Sequence, residues 1–276
     1  MSPERNDRVQ RIAAARAGAG RGERPLTARS VIASLLLGMR PPRLAGSRLV
    51  RWCGVFGISE GTARVALHRM VERGELTVAD GVYELAGRVR ARQPVQDFAL
   101  APRLDDWAGD WLLALVAPGR RRAADRLALR DAMRRLRLAE LREGCWARPA
   151  NLPRAAAPAD AWEVAEAQCT WWRATPHEDA RRLAAGLFAP AEWARGARRL
   201  ERRLRVATEA LADPRPDDLA EAFTAGAAAL VHVRADPLLP PALLPGDWPG
   251  DALRDAYREY QPAFGAAVRH WFREEA

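Results

Sequence analysis

The sequence predicts an α+β multidomain protein, and three observations predict it. Residues 27–87 carry three helix-periodic runs followed by two short β-prone runs. Residues 107–174 combine a continuous apolar run with an arginine-rich helical stretch and further strand-like segments, and from Asp179 onward the periodicity is helical. The 276 residues suffice for two or three domains with their own cores. A hydrophobic fraction of 49% beside 29% charged residues excludes disorder of the whole chain. No apolar run approaches the roughly 18 residues that cross a bilayer, so no membrane partner is expected. Cys53, Cys145 and Cys169 are few and far apart, and no signal-type segment opens the chain, which reads as a cytoplasmic protein with reduced thiols.

Charge divides the chain. There is no lysine, so all 44 basic residues are arginine. Residues 1–95 hold 17 arginines against 8 acidic residues, while residues 96–276 hold 27 of each. A general arginine bias would not leave the last two thirds balanced, so the asymmetry predicts a polyanionic partner for the N-terminal region, nucleic acid ahead of a membrane surface. Residues 1–26 mix arginine with Gly and Ala, lack aromatics and read as a basic, disordered tail.

Residues 27–95 form the first predicted domain. Val31, Ile32, Leu35, Leu36 and Met39 repeat at helical spacing after Thr27, an N-cap residue, and Pro41-Pro42 stops the helix. Leu49, Val50, Cys53 and Phe56 share one face of a short second helix that ends at Gly57, where a tight turn needs positive φ. Ser59 then caps a third helix running to Gly74. Leu76–Val78 and Val82–Leu85 flank Ala79 and Asp80-Gly81, a pair that closes hairpins. Three helices and a hairpin within about 60 residues outline a winged helix-turn-helix.

The third helix carries the candidate site. At 100° per residue, Gly61, Arg64, Val65, His68 and Glu72 fall on one face and Ala63, Ala66, Leu67 and Met70 on the other. The second face is core. On the first, Arg64 has the fork geometry that reads guanine, with Ser59, Glu60, Thr62, His68 and Arg69 at the start and flank of the helix and Gly61 leaving room for a close backbone approach. Arg51, on the helix that crosses the backbone in such motifs, is expected against phosphate, with Asp80 and Gly81 at the wing tip.

Residues 88–106 read as a linker that spans the boundary between the first domain and a second one assigned to 96–178. There Trp111–Ala117 is a buried strand, RRRAADRLALRDAMRRLRLAELREG a long helix, and CWARP and EVAEAQCTWW further strands. That is a small α/β sandwich. In the third, residues 179–276, Trp193, Ala197, Leu200, Leu204, Ala207 and Leu211 form one helical stripe, core-facing in preference to a coiled-coil dimer seam. Helices around Leu219–Val233 and Asp251–Phe272 flank the proline-rich DPLLPPALLPGDWPG.

Catalytic constellations are not evident. The four histidines lie in separate regions, none at ligand spacing from a carboxylate, cysteine or second histidine, and no phosphate loop or nucleophile elbow occurs in context, so neither metal nor cofactor is expected. Trp146 with Arg148, and Arg234 with Trp248, are aromatic and cation pairs that would suit an aromatic acid or acyl-CoA, although packing and salt bridging explain them more simply.

The runs ARSVIASLLLG, GISEGTARVALHRMVERGEL, WAGDWLLALV, GCWARP and LVHVRADPLLPPALLPGDWPG resemble the successive signatures of PaaX-type transcriptional regulators, over residues 27–272. The resemblance implies a winged helix, a central ferredoxin-like domain similar to CRISPR-associated nucleases, and a C-terminal helical domain for dimerisation and effector response. It implies a dimeric repressor bound to a pseudo-palindromic DNA operator and released by a small-molecule effector, an acyl-CoA thioester such as phenylacetyl-CoA in the best-known case. The related nucleases place a metal-binding aspartate at the end of the central strand, where this chain has Val116-Ala117-Pro118, with Asp110 ahead of the strand instead. A metal-dependent nuclease and a ligand-independent DNA-binding factor are the alternatives to the regulator.

Overall fold

The computed structural model describes residues 26–274, so the expected tail lies, save for Leu26, outside the described residues. It is a mixed α+β chain with two small antiparallel sheets and many helices. The chain divides into two compact units. The first holds the described residues through Gln93 with Ala210–Phe223 and the segment from Ala263; the second holds Pro94–Glu209 and Thr224–Pro262. The stretch expected as one C-terminal helical domain is thus shared between the two.

In the first unit, α1 (Ala28–Leu37) begins at Thr27, whose hydroxyl accepts from the Ser30 amide while the Ser30 hydroxyl accepts from the Thr27 amide, a reciprocal cap. The chain then makes β1 (Arg43–Ala45), α2 (Gly46–Val55), α3 (Glu60–Glu72), β2 (Leu76–Ala79) and β3 (Val82–Leu85). The three strands pair in the order β1-β3-β2, with Ala79 opposite Val82 across the two-residue turn Asp80-Gly81. Both turn residues have positive φ, 49° and 72°, the geometry that matches the twist of paired strands. β1 has no counterpart in the sequence reading. Its three residues pair with Val82–Glu84, and Leu44 is the only one of them buried.

Ile32, Leu36, Leu49, Trp52, Cys53, Ala63, Leu67 and Met70 make the core between α1, α2 and α3. Burial pushes the Cys53 thiol up to about 11, so it is an inert core thiol at neutral pH. Trp52 is fully buried within a ring of aromatics. Phe56, Phe223, Phe264 and Trp271 meet it edge-on at 5.6 to 5.9 Å between centroids. Such edge-to-face pairs each add about 0.5–1.5 kcal/mol beyond area burial. Residues from the far end of the sequence therefore complete the core behind α2.

The second unit begins at Pro94 within α4 (Arg92–Leu100), where a linker was expected. Pro94 lies in its first turn, where no intrahelical amide donor is needed, and Gln96 and Ala99 are buried. Next come β4 (Trp111–Val116), α5 (Ala123–Arg135), β5 (Ala139–Arg142), β6 (Cys145–Pro149), α6 (Ala159–Glu166) and β7 (Cys169–Ala174). All strand pairs are antiparallel, in the order β5-β6-β4-β7. Two expectations change here. The long arginine-rich helix ends at Leu136, and Arg137 turns with φ 57° into β5; EVAEAQ is helical through Glu166, so the last strand begins only at Cys169. Ala161 and Ala165, one turn apart, give that short helix the small-residue face that packs on the sheet.

Leu129, Ala132, Met133, Ala161 and Ala165 cover one sheet face over Ala114 and Trp146. Ala184 of α7 (Ala180–Phe188), Leu239 and Leu243 cover Trp111 and Ala147 on the other. α8 (Pro190–Glu209) buries Trp193, Ala197, Leu204 and Ala207 of the predicted stripe, and Leu211 beyond it, with Leu200 partly exposed. The stripe is core-facing. α9 (Pro216–Arg234) and α10 (Gly250–Glu274) are each shared between the units, dividing after Phe223 and after Pro262.

Candidate nucleic-acid interface

α2 ends as its residues dictate: the Gly57 amide donates to Gly54 O at 2.9 Å and the Ile58 amide to Cys53 O at 3.2 Å, with Gly57 at φ 69°. α3 starts two residues later under Ser59, whose hydroxyl accepts from the Thr62 amide at 3.3 Å and lies 2.8 Å from the Thr62 hydroxyl. Ala63, Leu67 and Met70 are buried, which fixes the rotation of the helix about its axis. Glu60, Gly61, Thr62, Arg64, Val65, His68 and Arg69 are consequently all exposed, as the periodicity predicts.

This face is polar with one large apolar member, and its two arginines, Arg64 and Arg69, are balanced by Glu60 and Glu72. Val65 is its large apolar member, 51% exposed. Arg64 donates from Nε to Glu60 Oε1 at 3.0 Å, and His68 Nε2 lies 3.3 Å from Glu72 Oε1. Both are solvent-exposed i,i+4 pairs of the kind worth about 0.3–0.5 kcal/mol, so Arg64 leaves Glu60 at little cost for a stronger acceptor. Asp80 and Gly81 are exposed at the tip of the β2–β3 turn.

Arg51 is placed elsewhere. Its guanidinium carbon lies 4.7 Å from the centroid of the Trp271 ring, and Nη2 donates to Trp271 O at 3.1 Å. It is half-buried, with its guanidinium engaged by the end of the last helix. Arg73, one turn beyond Arg69, was not singled out in the sequence. With Thr27, Arg29, Gly61, Val65 and Arg69 it lines a groove of about 460 Å³ between the start of α1 and the flank of α3. The spacing of Arg69 and Arg73 is the signal that would have found it. Arg29 is held there by Glu75, Nε to Oε2 and Nη2 to Oε1 both at 2.8 Å.

The other candidate pairs are engaged within the fold. Trp146 is 7% and Arg148 2% exposed. The Arg148 guanidinium donates to Pro149 O, Asn151 Oδ1 and Leu238 O at 3.0 to 3.2 Å, and burial, with Arg137 adding, pulls its pKa down to about 9. It locks the proline-rich segment to β6. Trp248 stacks on Trp193 at 4.5 Å, Trp193 stacks in turn on His232 at 4.6 Å, and the Arg234 side chain is exposed. Asp110 pairs with Arg173, Oδ2 to Nε at 2.7 Å. Among the described residues no group of three or more His, Cys, Asp or Glu side chains is arranged to hold a metal ion, and no helix is long and apolar enough to cross a membrane.

These features define a two-unit α+β protein that presents a firmly seated, capped helix with an exposed polar face. Residues 27–89 match the PaaX-like protein family, and residues 188–274 match the PaaX-like protein C-terminal domain. The solved structure of the uncharacterized protein Rv0674 from Mycobacterium tuberculosis is similar at 37% identity and a TM-score of 0.69, covering 88% of this chain and 98% of that one. Comparison with curated proteins returned no match. The chain belongs to the PaaX-like family.

Proposed function

We propose that the protein is a double-stranded-DNA-binding transcriptional regulator, a repressor, and that α3 is its recognition helix. The observation that carries this is the exposed face of α3: Arg64, Val65 and His68 project from a helix whose roll is fixed by Ala63, Leu67 and Met70 and whose start is fixed by Ser59 and Gly57. A fixed helix with an exposed arginine, an apolar group for a thymine methyl and small residues at its N-terminal end suits the major groove. In this reading the helices α1–α3 and the sheet β1-β3-β2 are a winged helix-turn-helix with Asp80-Gly81 at the wing tip. The order β5-β6-β4-β7 around α5 and α6 is that of a ferredoxin-like domain serving as scaffold. Family membership favours a regulator over an enzyme.

Two recognition helices of a homodimer would read the half-sites of a pseudo-palindromic operator. An acyl-CoA thioester, phenylacetyl-CoA in the first instance, would release the repressor by favouring the dimer arrangement that misses the half-site spacing. The effector contact is not assigned to the buried Trp146 and Arg148.

Fluorescence anisotropy with a duplex from the DNA upstream of the protein's own gene, against random competitor, tests the reading. Specific binding that phenylacetyl-CoA reverses supports it whole. Specific binding that no acyl-CoA reverses removes the effector, and binding no tighter than to random DNA removes the regulator.

A further inference from the structure

The second unit holds a groove whose role is independent of the reading of α3. Its volume is about 600 Å³, within the range of roughly 300–1,000 Å³ that small-molecule sites occupy. Glu192, Gly196, Arg199 and Arg203 of α8 line it at spacings of four, three and four residues, one stripe of the helix, and His232 faces them from the end of α9.

The aromatic part of this groove is rigid. Trp193 lies between Trp248, stacked at 4.5 Å and 19°, and His232, stacked at 4.6 Å and 20°. Trp193 Nε1 donates to His232 O at 3.0 Å, and His232 Nε2 donates to Trp193 O at 2.9 Å. The imidazole comes this close to α8 because residue 196 is glycine: a Cβ there would lie 2.5 Å from the His232 ring. Rings held in place beforehand cost a ligand no ordering of the protein. Phe188 and Leu200, both half-buried, add apolar surface to the lining. Ala189, also in the lining, joins α7 to α8 at φ 44° and ψ 52°, a left-handed conformation uncommon for a residue with a Cβ and one that gathers at ligand sites.

Charge gives the groove a direction. At 1.5 Å per residue, Arg199 and Arg203 lie about 10 and 16 Å along α8 from Glu192. Other arginines of the helix are committed, Arg198 to Asp247 and Arg205 to Glu201 and Glu259. Arg199 is exposed and has no carboxylate partner among the described residues. An anion is therefore drawn to the Arg199 end and repelled from the Glu192 end.

We propose that this groove binds a planar aromatic ligand bearing an acid group, with the ring against His232, Phe188 and Leu200 and the anion at Arg199 and Arg203. A free aromatic acid and its CoA thioester share this chemistry; the anion is the carboxylate in the first and a phosphate in the second.

The test is isothermal titration calorimetry of the full chain without DNA, with phenylacetate, phenylacetyl-CoA and the cationic analogue benzylamine as probes. Arg199→Glu is compared with Arg195→Glu, the same charge change at an exposed position of α8 outside the groove. One site per chain is expected for at least one of the two anions, and none for benzylamine. Arg199→Glu is expected to weaken binding roughly tenfold or more, the effect of losing a charge-assisted hydrogen bond, and Arg195→Glu by no more than about twofold. Binding of phenylacetate assigns the anion to a carboxylate, and binding of the thioester alone assigns it to a phosphate; either supports the site. Absence of binding by both anions, equal losses in the two variants, or benzylamine binding as tightly as phenylacetate overturns it. Because no DNA is present, each of these failures leaves the reading of α3 untouched.

Discussion

Arg51 caps the far end of the chain: its guanidinium stacks over Trp271 and hydrogen-bonds that residue's carbonyl, across 220 positions of sequence. Trp271 lies in the last turn of α10, where carbonyls have no intrahelical amide partner and the helix end carries partial negative charge. A cation there satisfies one such carbonyl, complements the dipole and closes the aromatic ring around Trp52. Arg51→Ala is therefore expected to lower the urea midpoint, at a cost of about 1–2 kcal/mol, with Arg51→Lys intermediate. The salt slope of DNA binding is expected to stay at the parent value in both variants, because this arginine is turned inward. A reduced slope with unchanged stability would return Arg51 to the DNA backbone.

A second prediction follows from Asp236. Its Oδ2 lies 2.5 Å from Arg254 Nη2, Oδ1 accepts from the Leu238 amide at 2.8 Å, and the two side chains are 2% and 6% exposed. Arg254 Nε also donates to Ala99 O at 2.9 Å. Removing the carboxylate leaves a buried cation with only the exposed Asp251, 3.8 Å away, as counter-charge, so Asp236→Ala is expected to cost about 3–5 kcal/mol in chemical denaturation. A loss below about 1 kcal/mol would mean that water reaches Arg254 in solution.

Acid sensitivity has an identifiable contributor in the first unit. Hydrogen bonds from Arg29 hold the Glu75 carboxyl below its usual range, outweighing the opposing effect of burial, and the Arg29 charge adds to them. A carboxyl whose folded pKa is depressed stabilises the fold above its unfolded pKa of about 4.3, and that contribution is lost as pH falls through the folded value. Glu75→Gln is thus expected to be less stable than the parent near neutral pH by up to about 1 kcal/mol, with the two converging below about pH 4. A difference that persists unchanged at pH 3 would assign the effect to packing.

What was legible in the sequence is what short-range chemistry dictates. Thr27 and Ser59 cap helices because their hydroxyls reach an amide three residues on, and Gly57, Asp80 and Gly81 sit at positive φ because the turns there require it. The roll of α3 followed from its 3.6-residue period. Features that depend on distant partners were not legible. β1 is three residues long and exists only because Val82–Glu84 offers it an edge. Pro94 reads as a linker residue in the sequence, yet it occupies the first turn of a helix. For Trp146 and Arg148 the sequence favours packing over a ligand site but names no partner, because no local pattern reveals that Leu238, ninety residues on, supplies a carbonyl to the guanidinium. Arg51 likewise carries no local sign that Trp271 is its partner.

The central claim is that α3 reads DNA through Arg64. The direct measurement is fluorescence anisotropy of parent and Arg64→Ala against a series of operator duplexes, each changed at one base pair. Arg64 is 66% exposed on its side chain and supports no core contact, so the variant should fold as the parent does. The account predicts a loss of about 1–3 kcal/mol on the preferred operator and a flattened preference at one position per half-site, with other positions ranked as before. An Arg64→Ala protein that ranks every duplex as the parent does would contradict the account, because a helix whose central exposed arginine carries no base information is not the reader.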